Sequence, residues 1–145
     1  MNYEWQQGEF VISTDPARLD VATIHNFLAH ESYWAQGRTK ELVQRSIANS
    51  LVFGIYNGEQ QVGGCRVVTD YATFAWLCDV FVLEAFRGLG LSKWMLEVVT
   101  SHPDLQGLRR WLLGTKDAQE LYRKYGFTEL PEEIVWMQRS SELAQ

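Results

Sequence analysis

The chain has 145 residues, 46% hydrophobic and 21% charged, with a formal net charge of −5. That composition is globular rather than disordered, and the length fits one domain over residues 1–145 with a self-sufficient core. The negative balance excludes nonspecific binding to nucleic acid or to an anionic membrane, both of which need a basic footprint.

The opening MNYEWQQGEF lacks the cationic start and apolar stretch of an export signal, and no apolar run approaches the roughly 20 residues of a membrane span. A cytoplasmic protein is expected. Glu9 to Ser13 reads as a first strand. Asp15-Pro16 opens a helical region in which Leu19, Val21, Ile24, Phe27 and Leu28 recur at helical spacing. His30 to Arg38 is a loop carrying Tyr33 and Trp34, and Thr39 to Ala48 forms a second helix. SLVFGIY and QQVGGCRVV flank Asn57-Gly58, a dipeptide that favours a tight hairpin because both residues tolerate positive φ. Asp70 to Thr73 is a turn, and Phe74 to Leu83 is the next strand. From Gly90 to Thr100 the period becomes helical, with Leu91, Trp94, Met95, Val98 and Val99 on one face. Arg110 to Thr115 is a strand, Asp117 caps a helix with Glu120 completing a capping box, and that helix stops at Gly126. Ile134 to Gln138 reads as a last strand, able to complete the sheet internally or to pair across an interface.

This order predicts an α/β (α+β) domain. Its sheet is mixed and mostly antiparallel, with a single β-α-β crossover, Phe74 to Thr115, whose strands are parallel. Cys65 and Cys78 lie in apolar strand contexts at a spacing that fits no metal motif, so they read as buried free thiols. His25, His30 and His102 are not clustered in sequence, and no metal site is expected.

The run FRGLGLSKW, Phe86 to Trp94, follows a strand and opens an amphipathic helix. A helix start leaves unpaired N–H groups and a partial positive charge, so it holds anions. Gly88 and Gly90 let the backbone approach a ligand, and Ala85 to Lys93 contains two cations and no acid. The competing reading is a plain strand-to-helix turn. A dinucleotide fingerprint needs a third glycine where Lys93 stands, and a P-loop needs Gly-Lys-Ser/Thr, so neither applies.

Arg87-Gly88-Leu89-Gly90-Leu91-Ser92 resembles the R/Q-x-x-G-x-G/A signature of the GNAT superfamily of N-acetyltransferases, with Ser92 in place of the last small residue. Asp79-Val80-Phe81-Val82 is similar to the strand that precedes it, and Leu121 to Phe127 (LYRKYGF) to the family's L-Y-x-K-x-G-F block. Two blocks in order, joined by a helix and a strand, make the resemblance specific, and the element order extends it over nearly the whole chain. It implies a GNAT-like fold with splayed parallel strands and acetyl-coenzyme A as acetyl donor. Phe81 and Val82 would offer backbone to the pantetheine arm. The N–H groups of Arg87, Gly88, Leu89, Gly90, Leu91 and Ser92 would hold the pyrophosphate.

The implied reaction is direct attack of a primary amine on the thioester. By the family's register Tyr122 matches the tyrosine that donates to the coenzyme A sulfur, with Tyr125 as its competitor. Asp79 is the candidate for accepting the amine's proton, its alternative being a structural hydrogen-bonding residue. Strand alternation puts it with Phe81 on the face opposite Val80 and Val82. A D-x-F-V pattern is also similar to polyamine acetyltransferases, which carry a further acid where this chain has Cys78. Tyr33 and Trp34 are candidates for the acceptor wall, the alternative being that they fold back as a lid on the core; as a wall with Asp79 at its base they would select a cationic small-molecule amine. Other readings are a non-catalytic acetyl-coenzyme A sensor and a protein or peptide acetyltransferase. A second copy of this chain, giving a homodimer, is a candidate partner.

Overall fold

The computed structural model describes residues 1–141. The chain opens with a hairpin of β1 (Glu4–Gln7) and β2 (Phe10–Ser13). Helix α1 (Val21–His30) is capped by Asp20, which accepts from Thr23 N at 3.2 Å, and α2 (Lys40–Ala48) by Thr39, which accepts from Leu42 N at 3.2 Å. The meander β3 (Leu51–Asn57), β4 (Gln60–Thr69) and β5 (Phe74–Val82) follows. Then come α3 (Leu91–Thr100), β6 (Arg110–Leu112) and α4 (Gln119–Arg123).

The sheet order is β1-β2-β3-β4-β5-β6. Every pairing is antiparallel except β5 with β6, where the crossover through α3 makes the strands parallel. Helices cover both faces, each over its own apolar cluster. One cluster joins α3 and Tyr122 to Ile12, Phe53, Ile55, Val67, Leu77 and Val82. The other joins Ile24, Phe27 and Leu28 of α1 and Val43 of α2 to Phe81. The mixed α/β class expected from the element order is the one observed.

Four boundaries differ from the sequence expectation. The first strand, β1, was not anticipated, because Glu4, Gln6 and Gln7 leave it no apolar alternation; it forms by pairing with β2 at the sheet edge. The central hairpin turns at Gly58-Glu59 rather than at Asn57-Gly58. Asn57 still pairs with Gln60, and Gly58 alone takes a positive φ, 61°, as the first central residue of a two-residue turn. Asp117 does not cap α4. Ala118 N is taken by Thr115 Oγ1 at 3.1 Å, and the helix starts after Ala118 with no side-chain cap. Ile134 to Gln138 is not a strand. Val135 and Met137 are 79% and 89% exposed, because strand propensity without a partner edge does not make a ladder. Its one described anchor is Trp136, over which the Arg110 guanidinium stacks.

Candidate active site

Strand β6 accompanies β5 only from Phe74 to Trp76. Beyond that point no strand among the described residues pairs with the β6-facing edge of β5. Leu83 N donates to Val62 O on β4 at 2.8 Å, so by alternation the polar groups of Val82 face that edge. Arg87 reaches back there, its Nε donating to Val82 O at 3.0 Å. The chain then enters Gly88 and Gly90 at φ 81° and 77°, a left-handed conformation that a side chain would strain. Gly90 is the N-cap of α3 and supplies no side-chain cap, so the first N–H groups of the helix are left for a ligand. Arg87, Gly88, Leu89 and Gly90 are exposed, while Leu91 is buried in the core and fixes the start of the helix. The unpaired strand edge and the uncapped helix start thus follow one another along the chain, from Val82 to Gly90.

The two tyrosines of α4 and its C-terminal end separate cleanly. Tyr125 points out along α3, its hydroxyl donating to Lys93 O at 3.0 Å. Tyr122 points inward and is 9% exposed. Burial pushes its pKa up to about 12, with smaller upward contributions from Cys65 and Tyr33. That hydroxyl keeps its proton at neutral pH and has no hydrogen-bond partner among the described residues. Cys65 and Cys78 are free and buried, and burial also raises both thiols.

Asp79 sits in a β-bulge. Gly64 pairs with Phe81 and Arg66 with Cys78, so the single residue Cys65 faces both Asp79 and Val80. The bulge shifts alternation by one: Leu77 packs in the α3 cluster, and so do Val80 and Val82. Asp79 and Phe81 are therefore on the α1–α2 face, with Asp79 at φ 55°. Asp79 Oδ1 accepts from Trp34 Nε1 (2.9 Å) and Arg38 Nη1 (3.3 Å). Oδ2 accepts from Arg38 Nη1 (3.2 Å) and Arg66 Nε (2.9 Å). A carboxylate has about four acceptor positions, and all are filled. These bonds fit the structural hydrogen-bonding alternative for Asp79, and the two arginines around it outnumber its one carboxylate.

Sequence reasoning missed Arg38 and Arg66. The available signal was Arg66 itself, a cation inside the apolar strand QQVGGCRVV, which needs a carboxylate. Asp79, inside the apolar strand FAWLCDVFV, is the matching acid. The loop from Glu31 to Thr39 spans the opening between β5 and the segment after β6. Trp34 holds one side through Asp79 and packs 6.2 Å from the Phe27 ring. Tyr33 holds the other, its hydroxyl accepting from Lys116 N at 2.8 Å. The two rings meet edge to face at 5.1 Å. Among the described residues no group of His, Cys, Asp and Glu could hold a metal ion, and no helix is long and apolar enough to cross a membrane.

A splayed β5–β6 pair leading into a glycine-rich helix start defines a class, and comparison with known proteins finds the same one. A family model described as "Acetyltransferase (GNAT) domain" matches residues 48–129. The chain is 33% identical to the Gibberella zeae protein named "Putative acetyltransferase FG08082", over 83% of this chain and 79% of that one. A crystal structure from Xanthomonas campestris pv. campestris, described as an acetyltransferase "belonging to the gnat family", is 46% identical and superposes with a TM-score of 0.90, covering 94% and 96% of the two chains. A GNAT family acetyltransferase of Elizabethkingia anophelis, solved with acetyl-CoA bound, shares the fold at a TM-score of 0.65 with 17% identity, over 86% of this chain and 80% of that one. The chain belongs to the GNAT acetyltransferase family.

Proposed function

We propose that this protein transfers the acetyl group of acetyl-CoA to a primary amine of a small molecule. The observation that carries the reading is the unpaired β5 edge followed along the chain by the uncapped start of α3. An extended arm can add to the edge as a strand while its pyrophosphate meets N–H groups and a positive helix end. Val82 and Phe81 lie along the arm's path, and Arg87 to Ser92 hold the phosphates. Arg87, now on Val82 O, is free to turn outward to them.

The amine nitrogen attacks the thioester carbonyl, the C–S bond breaks, and the nitrogen loses its proton to solvent. Backbone N–H groups around Val80 to Val82 stabilise the oxyanion. Tyr122 serves the leaving sulfur. With its pKa near 12 against about 8.5 for a thiol, complete proton transfer is uphill, so Tyr122 acts by hydrogen-bond donation. Asp79 acts at one remove, by fixing Trp34, Arg38 and Arg66.

The test is a free-thiol assay with acetyl-CoA and a panel of small amines and peptides. Thiol release that requires a small amine, with one acetyl group on the product amine, supports the reading. Acetyl-CoA binding without turnover on any acceptor overturns it in favour of a sensor, and turnover confined to peptides moves the acceptor to a polypeptide.

A further inference from the structure

The Asp79 cluster holds two guanidinium groups against one carboxylate. The described ion pairs of Arg38 and Arg66 involve Asp79 alone, so the cluster keeps one positive charge that the protein does not neutralise. The arginine side chains are only 18% and 14% exposed, and a charge so sheltered from water is costly without a partner. Both arginines also have donors to spare. Arg38 uses only Nη1 on Asp79, and Arg66 uses Nε on Asp79 and Nη1 on Ser50 Oγ. Arg38 Nε and the Nη2 groups of both have no acceptor among the described residues. None of them is a sealed, unpaired atom of the Tyr56 Oη or His102 Nε2 kind, so they reach solvent.

These donors lie beside the loop that bridges the opening between β5 and the segment after β6. Arg38 ends the loop whose Tyr33 and Trp34 bridge the splayed strands, and Arg66 reaches Asp79 in the β5 bulge, past the last residues that pair with β6. We propose that the acceptor is an amine that also carries a carboxylate, and that Arg38 and Arg66 receive the carboxylate. The proposal rests on the acetyl-transfer reading and names its substrate class. Guanidinium forks fit planar carboxylates, and a surplus of one charge matches a carboxylate rather than a doubly charged phosphate. The same surplus disfavours an ammonium ion nearby and so favours the neutral, attacking form of the amine. A polycation is the acceptor this site fits least, the opposite of the choice an acid-lined pocket would make.

The experiment compares matched acceptors on the wild-type chain: the common amino acids, their carboxamides, the amines lacking the carboxylate, and O-phosphoethanolamine. The expected result is turnover with one or more amino acids and a kcat/KM at least about 10-fold lower for the matched amide and amine. Arg38→Gln leaves Arg66 on Asp79. It should raise KM for the carboxylate acceptor by about 10- to 100-fold and narrow the difference between that acceptor and its matched amine, with the affinity for acetyl-CoA unchanged. Equal or better turnover of the amine, the amide or the phosphorylated amine overturns the carboxylate assignment while acetyl transfer stands. If nothing turns over, acetyl transfer to small molecules fails, and thermal shifts decide the anion site separately. Stabilisation by an amino acid in wild type but not in Arg38→Gln supports it, and no stabilisation overturns it.

Discussion

Asp79 is held at φ 55°, a left-handed conformation that few residues adopt in a strand and that aspartate tolerates better than most. The conformation is the bulge, and the bulge aims the carboxylate at Trp34, Arg38 and Arg66. Removing one partner of a sheltered ion cluster leaves the others uncompensated. Asp79→Ala should therefore cost about 3 kcal/mol of stability in a urea titration; a change within about 0.5 kcal/mol, typical of a surface site, would mean that the arginines find water instead. Tyr122 makes the second prediction at this scale. Tyr122→Phe should lower kcat by about 10²-fold, the low end of acid catalysis, since donation stops short of transfer. Acetyl-CoA affinity should stay the same. Tyr125→Phe, which loses the bond to Lys93 O and the interaction with Glu97 at the surface, should leave kcat near wild type. The reverse pattern would reassign the donor.

At the level of elements, the decisive joint is β5 into α3. The helix is fixed by Leu91, Trp94, Met95, Val98 and Val99 in the core, so its N-terminus stays in place without a capping side chain. That separation of stability from capping keeps the N–H groups free. Gly90→Asp puts a carboxylate on the same groups that a pyrophosphate needs. The left-handed φ of 77° costs some stability in a non-glycine residue, partly offset by the favourable charge at a helix start. The fold should survive, and calorimetry should show acetyl-CoA affinity reduced by about 100-fold or more. Unchanged affinity would remove the cradle from the binding site.

Over the whole molecule, the N-terminal hairpin is tied to the far end of α3 by His102, buried at 1% exposure. Its ring lies 4.7 Å from Tyr3, 5.8 Å from Trp5 and 5.5 Å from Phe53. Nδ1 accepts from Asp104 N at 3.0 Å, so the neutral ring is the form that fits. Burial lowers its pKa below the ordinary 6.5, with Asp104 opposing. Between the folded value and about 6.5 the unfolded chain binds the extra proton, so stability rises with pH there and falls on acidification below about pH 6.5. His102→Asn keeps an acceptor for Asp104 N and removes the titration. The variant should lose less stability than wild type between pH 7 and pH 5 in thermal melts; equal losses would show that His102 does not link acidity to folding.

The periodicity of residues 91–100 and the run from Arg87 to Ser92 are local facts, and they determined from sequence alone that a core-facing helix starts at a glycine-containing turn. The L-Y-x-K-x-G-F block is also local, and its resemblance to the family's register is what favours Tyr122 over Tyr125, which the fold buries to different degrees. The alternating strands and the crossover likewise carried the mixed sheet, because hydrophobic period and connection length are properties of the chain itself. What only tertiary structure decided is how residues distant in sequence share charge. For Asp79 the sequence left a proton acceptor and a structural hydrogen-bonding residue both open, because nothing within its own strand marks Arg66, on the neighbouring strand, or Arg38, on a loop, as its partners. The bulge that joins them depends on two strands counting differently, Cys65 against Asp79 and Val80, and no single strand records that. Ile134 to Gln138 failed for the related reason that a strand exists only with a neighbour, and the sequence does not say which edge is offered. Propensity and spacing act along the chain, whereas pairing and charge balance act across it.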